Sequence, residues 1–485
     1  MAEASMVPGA VQAADRGRFW VLVYLATTGL VLILMMIFGL LMRLSQSGWL
    51  VLDPALFYQL LTVHGTGMVG IASLGGAALM WHFLSAHVRL NGWVMGANFV
   101  LFLIGVAAIL VADFYGQFGG AWTFLYPLPA ISQGAWPVWA AELHLAGLLL
   151  VGVGFLIWCV EIARAIIAEY GGLARGLGWH VLFGGSKTNV PPPTVVAATM
   201  VTIVNSLALV AGAAVIVMSI INLAFPTVEL NPLLAKNLIY FFGHVFINAT
   251  IYMGVTVVYE LLPRMTGRPW KSSKVFLGAW TVSTIMVLII FPHHLLMDFA
   301  MPRWAMVIGQ VFSYINSFPI LIVTGLGAIA IVHRSGIKWD LVSSLLILSM
   351  FGWMAGVVPA VIDATIAVNS VMHNTLWVPG HFHFYLLLGL LPMIFAGMIY
   401  FTRNEDVTPN GSDLEAMLYA GFGLVFVAMF LVGGWASVPR RWAEHLPEWM
   451  IWDQIASVMA IGVILLTTGF VVRFLARLPA LLRNG

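Results

Sequence analysis

Six histidines stand at spacings that can hold metal: His64, His244, the adjacent pair His293 and His294, and His381 with His383 two positions later. Neutral imidazole is the usual protein ligand for heme iron and for copper. Residues i and i+2 of a helix point about 200° apart, so His381 and His383 can serve two cofactors from one helix. His293 and His294 with His244 would make a three-nitrogen copper site. His64 would then pair with either His381 or His383 around a six-coordinate heme. One histidine in an apolar stretch is most simply a hydrogen-bonded core residue, so the case for ligands depends on the six converging. The single cysteine, Cys159, permits no intramolecular disulfide, no covalently attached c-type heme and no thiolate metal site from this chain alone.

The elements that must position these residues are membrane helices. Of 485 residues 61% are hydrophobic and 8% charged, with a mean hydropathy of +0.99. Soluble domains are about 45–50% apolar and about 25% charged. This balance excludes a soluble enzyme, a disordered chain and a nucleic-acid-binding protein. A membrane helix needs about 20 mostly apolar residues. Twelve such runs occur, at roughly 19–43, 56–84, 93–112, 138–167, 195–223, 237–262, 275–292, 304–332, 341–362, 381–401, 413–434 and 450–474. The expected fold is an all-α integral membrane protein of twelve transmembrane helices, covering 19–477 between short tails at 1–18 and 478–485. The first run is too long for a signal-peptide core and reads as a retained span. Continuous runs such as 201–224 exclude a β-barrel of alternating strands.

Lysine and arginine set the orientation. With the N-terminus inside, sixteen of them fall on the inner side and five, Arg43, Lys236, Arg303, Arg440 and Arg441, on the outer side. Both termini are therefore expected in the cytoplasm, with the bacterial inner membrane as the setting. Under this topology the starts of runs two, six and ten and the end of run seven all lie outward. All six histidines then share one depth, a coincidence not built into the charge rule. Ionisable groups inside a bilayer are expensive and usually functional.

The words around these residues are Leu61-Thr62-Val63-His64-Gly65, Phe242-Gly243-His244, Pro292-His293-His294, the stretch from His373-Asn374-Thr375 through Trp377-Val378-Pro379-Gly380 to His381-Phe382-His383, and Pro439-Arg440-Arg441. Together they resemble subunit I of the heme–copper oxidase superfamily over essentially the whole chain. The likeness is closer to its B-type and C-type branches than to the mitochondrial-like A-type. The resemblance implies that His64 and His383 are axial to a low-spin heme, expected to be b-type. It implies that His381 is axial to a high-spin heme, b-type with a- or o-type as alternatives, and that His244, His293 and His294 bind one copper. Arg440, Arg441 and His373 would hold heme propionates. Trp122 and Tyr126, in the stretch from Trp122 to Pro127, look like the family's outer cap over the site.

The pattern breaks at one position. In A-type and B-type members the copper histidine of the sixth span is followed four residues later by a tyrosine cross-linked to it. Here that residue is Asn248, on the same helix face as His244. The C-type branch supplies its tyrosine six residues before the histidine pair, where this chain has Val287. Cleaving dioxygen in one step takes four electrons: iron gives two, copper one, and the tyrosine the fourth with a proton. Joining two nitric oxide molecules into nitrous oxide takes two electrons and two protons, which reduced iron and copper supply. The chain thus looks like a nitric oxide reductase lineage that keeps the histidine metal site and lacks the tyrosine. A terminal oxidase reducing dioxygen to water is the alternative. The chain also lacks the glutamate of the iron-containing nitric oxide reductases, so copper is expected over iron. A transporter with histidine-lined sites, a third class, would need broken helices and paired repeats, and neither is evident.

Electrons must come from elsewhere. The resemblance implies a cupredoxin-type subunit II with a two-copper centre, fed by cytochrome c or a similar donor, or else a heme-bearing partner. The resemblance to B-type members implies an inner proton path along runs six and eight, for which run six offers Tyr259 and Thr256 and run eight offers Thr324 and Ser313.

Overall fold

The computed structural model describes residues 8–185, 188–403 and 412–483. Twelve helices among them are long and apolar enough to cross a membrane: α1 Gly17–Gln46, α2 Pro54–Leu84, α3 Trp93–Tyr115, α4 Val138–Tyr170, α5 Pro193–Ala224, α6 Pro232–Thr266, α7 Lys274–Leu295, α8 Arg303–Val332, α9 Leu341–Asp363, α10 Trp377–Phe401, α11 Asp413–Trp435 and α12 Met450–Arg483. Each expected run is recovered, and the differences lie at the ends. The chain is already helical from Pro8, within the expected N-terminal tail, whose residues 1–7 lie outside the described residues. At the other end α12 continues to Arg483, through most of the expected C-terminal tail.

Local chemistry starts the helices. Asp53 accepts hydrogen bonds from Ala55 N–H and Leu56 N–H ahead of Pro54, and Asn231 does the same for Leu234 N–H ahead of Pro232. Both pairings place a capping oxygen before a proline whose missing N–H costs nothing in the first turn. Asp340 and Ser343 cap α9 reciprocally.

Three helices form the inside of the bundle. In α2, α6 and α10 the apolar stretch is buried over 72%, 83% and 72% of its residues, against half or less in the other nine. Glycines set how closely they approach. A methyl group on Gly76 would meet Thr250 O at 3.3 Å, on Gly254 it would meet Leu390 at 2.5 Å, and on Gly397 it would meet Leu79 at 2.5 Å. Each contact joins two of the three helices. They are the same helices that carry His64, His244, and His381 with His383.

Two of the helices that carry the histidines depart from α geometry beside the site. The α-helical part of α7 ends at Ile289, and Phe291–Leu295 forms a 3-10 turn containing Pro292, His293 and His294. The pair therefore sits on a tight turn rather than on the helix end expected from the run. In α10 a wider π turn over Phe384–Leu390 follows His383, and Leu391 N–H reaches back to Leu386 O. Pro392 lacks the N–H that would bond Leu388 O in a regular helix.

Candidate heme and copper site

A cavity of about 470 Å³ opens at one end of the bundle, and all six histidines line it. Up-and-down packing of consecutive spans brings the starts of α2, α6 and α10 and the end of α7 to that end.

His244, His293 and His294 form one group, with a nitrogen of each within 4.8 Å of the others. His244 Nδ1 faces His294 Nε2 at 3.2 Å. Ser313 on α8 lies 2.8 Å from His293 Nδ1 and donates its proton to Gly309 O. Its oxygen thus accepts the His293 Nδ1 proton and leaves Nε2 free. Gly309 is required here, because a methyl group would stand 2.7 Å from His293 N. Tyr240, one turn before His244, stacks on His294 at 5.5 Å and 12°.

His64 and His383 are oriented alike. His64 Nδ1 lies 2.7 Å from Met35 O and His383 Nδ1 lies 2.6 Å from Pro379 O. Each carbonyl can only accept, so each ring donates from Nδ1 and leaves Nε2 for a metal. Gly39 of α1 leaves room for the His64 ring, since a methyl group there would meet Cε1 at 2.7 Å. Phe430 lies against His383 with ring centres 5.0 Å apart. His381, on the same helix, lies near Asp363 of α9, with Nδ1 3.7 Å from Oδ2.

Asn248 lies at the Nε2 edge of His244. Its side-chain nitrogen is 3.2 Å from His244 Nε2 and donates to His244 O at 2.8 Å. Val287 is buried in α7 away from this wall.

The rim carries the expected basic residues. Arg440, Arg441 and His373 all line the cavity. Their loop is held to the start of α10: Arg440 N–H bonds Asn374 O and Leu376 N–H bonds Val438 O, both at 2.9 Å. Arg441 adopts φ +65°, a left-handed conformation costing a non-glycine residue roughly 1–2 kcal/mol. Its guanidinium donates to Thr123 Oγ1 at 2.9 Å. Burial and the neighbouring Arg441 push the Arg440 guanidinium down to about 10. Burial, then Arg440, also lowers His373. Among the described residues neither arginine forms an ion pair. Trp122 also lines the cavity, against Gly65 and Gly243. Tyr126 does not: it packs with Leu125, Leu128 and Trp136 against an outer apolar cluster around Phe118 and Phe124. The chain turns away from the site after Thr123, and Trp122 alone of the expected cap pair faces inward.

Residues 20–465 match the model of the cytochrome c and quinol oxidase polypeptide I family. The chain belongs to this family. It is similar to cytochrome c oxidase subunit 1 of Synechocystis, at 24% identity over 87% of this chain and 76% of that one. It is likewise similar to cytochrome c oxidase subunit 1 of Thermus thermophilus, at 22% identity over 84% of this chain and 75% of that one. A solved heme–copper terminal oxidase dimer has the same fold, with a TM-score of 0.76 at 20% identity over 96% of this chain and 84% of that one.

Membership implies hemes and copper, and this subunit I fits them. Two imidazoles are held by backbone carbonyls with Nε2 open to the cavity. Three more converge, with one nitrogen of each within 4.8 Å of the others. The two guanidiniums at the rim, which among the described residues have no carboxylate partner, are suited to carboxylates brought by a cofactor.

Several polar groups of this subunit I were not legible in the motifs. Arg43 lines the cavity and stands over Phe430 at 4.5 Å. Asp453 of α12 bonds Arg43 at 2.5 Å and His445 Nδ1 at 2.6 Å, so His445 has a structural partner. Of the other unassigned histidines, His144 pairs with Asp113 at 2.7 Å and His87 with Glu260 at 3.0 Å. The expected polar row is partly joined. Tyr259 bonds Thr324 at 2.5 Å and accepts from Trp280 at 3.2 Å, whereas Thr256 turns back to Met253 O and Ser313 serves His293.

Proposed function

We propose that this subunit I is the catalytic chain of a nitric oxide reductase, joining two nitric oxide molecules with two electrons and two protons into nitrous oxide and water. The observation that carries this reading is Asn248 at the His244 Nε2 edge. In the resembling oxidases this position holds the tyrosine cross-linked to the copper histidine, and an amide can supply neither an electron nor an acidic proton.

In this reading His64 and His383 hold the low-spin heme, expected as b-type, and His381 holds the high-spin heme. His244 Nδ1, His293 and His294 hold copper. The hemes and copper supply the electrons and the Lewis-acid centres that bind the nitrogen oxides. The chain does the rest. Met35 O and Pro379 O fix the tautomers of His64 and His383. Ser313 fixes that of His293, and Asn248 braces His244. Arg440, Arg441 and His373 anchor propionates. Trp122 closes the outer side, keeping bulk water from the reacting atoms. The Tyr259 hydroxyl shares a hydrogen bond with Thr324 and accepts one from Trp280, so the two hydroxyls can exchange a proton between α6 and α8.

Dioxygen reduction is the second reading. It is favoured by the names of the relatives and by Tyr240, Tyr252 and Tyr385 in the cavity wall, which offer other radical donors. Turnover of one preparation with nitric oxide and with dioxygen decides between them. Rapid oxygen consumption with negligible nitrous oxide would overturn the choice of nitric oxide. The electron donor in this proposal is a cupredoxin-type subunit II with a two-copper centre, fed by cytochrome c, and the setting is the bacterial inner membrane with both termini cytoplasmic.

A further inference from the structure

The three histidines assigned to iron differ in what their Nδ1 atoms face. His64 and His383 each face a neutral backbone carbonyl, Met35 O and Pro379 O. His381 does not. Its Nδ1 is buried and has no hydrogen-bond partner among the described residues, and Asp363 Oδ2 stands 3.7 Å away. Both residues line the cavity. The carboxylate is itself held in place: Asn369 Nδ2 donates to Asp363 O at 2.7 Å and to Oδ1 at 3.2 Å. That leaves Oδ2 as the oxygen turned toward the ring. Asp363 closes α9, and α9 packs tightly on α10, where a methyl group on Gly352 would run into Leu388 O. The carboxylate is therefore carried on a fixed support.

We propose that Asp363 is a positioning residue for the high-spin heme, accepting the Nδ1 proton of His381 in a hydrogen bond after a small side-chain rotation. This rests on the reading of His381 as an iron ligand. An ionised acceptor draws the shared proton more strongly than a carbonyl does, and a carboxylate behind a ligating histidine raises its basicity. His381 thereby gains anionic character that His64 and His383 lack, favours the oxidised iron, and lowers the potential of the high-spin heme relative to a carbonyl-bonded ligand. Two histidines two positions apart on one helix are thus given different donor strengths by different partners.

Resonance Raman spectroscopy of the reduced, ligand-free holoenzyme reads this directly through the iron–histidine stretch, with redox titration of each heme alongside. Asp363→Asn is expected to move the stretch to lower frequency and raise the high-spin midpoint potential, leaving the low-spin heme spectrum unchanged. Asp363→Glu is expected to keep both close to wild type. An Asp363→Asn enzyme with wild-type stretch and potential overturns the proposal. Should that variant fail to assemble, the wild-type stretch decides: a frequency typical of a carbonyl-bonded imidazole overturns it, and one typical of a carboxylate-bonded imidazole supports it. A His381→Ala enzyme that keeps its five-coordinate high-spin heme removes instead the ligand assignment beneath it.

Discussion

Asn248 Nδ2 lies 3.2 Å from His244 Nε2 and also donates to the His244 backbone oxygen at 2.8 Å. The amide is tied to the histidine at both ends of one helical turn, so its replacement acts on the copper side of the cavity first. Asn248→Tyr puts a larger, acidic side chain at that edge. Nitric oxide turnover should fall by about tenfold, equivalent to about 1.4 kcal/mol of transition-state stabilisation, with the six histidines in place. Steady-state nitrous oxide production, normalised to heme content, measures it. Unchanged turnover would mean that the side chain at this edge does not govern the substrate.

Ser313 is the partner that fixes His293. Removing a hydrogen-bond partner of a metal-ligating histidine typically costs 10–100-fold in metal affinity. Ser313→Ala should therefore lose copper to a competing chelator at a concentration lower by about that factor, with heme content unaltered. Metal analysis along a chelator titration checks this, and equal retention in both enzymes would refute the role.

Arg43 and Asp453 form an ion pair whose side chains are 10% and 0% exposed. Removing one partner of a buried pair leaves an uncompensated charge, at a cost of about 3–5 kcal/mol. Asp453→Leu should lower the melting temperature of the detergent-solubilised protein markedly. The double variant Arg43→Met with Asp453→Leu should recover much of that loss, since no charge is stranded. A single variant as stable as wild type would contradict the pairing.

Lys236 at the start of α6 bonds Asp298 at 2.6 Å in the loop after the His293–His294 turn. Burial alone would raise the Asp298 carboxyl, but Lys236 and the Ala300 N–H hold it below its ordinary value. A carboxylate with a depressed folded value adds stability that is complete above the unfolded value, about 3.9, and is lost as pH falls through the folded one. Lys236→Met should lower stability near neutral pH and flatten its fall on acidification. Melting temperatures at pH values stepped from about 5 to about 3 test the sign; a steeper acid dependence in the variant would reverse it.

Much of this was readable because it is local in sequence. His381 and His383 sit two apart, His293 and His294 adjoin, and Asn248 is one turn from His244, so helical geometry alone relates them. Twelve apolar runs sufficed for the spans because few charges interrupt them. What was hidden depends on distant partners: Arg43 meets Asp453 from opposite ends of the chain, Asp363 reaches His381 across two helices, and Ser313 looked like a proton-path hydroxyl until the fold placed it on His293. Tyr126 failed for a related reason. Its loop was recognisable, but which of its aromatic rings faces inward depends on how the chain turns after Thr123.

The wide turn over Phe384–Leu390 separates α10 into two parts that need not share one rotational phase. Below it, Gly397 packs against Leu79 of α2, which sets how that half is turned. Above it, the rotation of His381 and His383 answers to the cavity. A regular helix would gear the two together, and any repacking of the lower half would swing both imidazoles. The extra residue in the turn works as a slip joint, leaving sequence drift in the lower half free to accumulate without misaiming the imidazoles above.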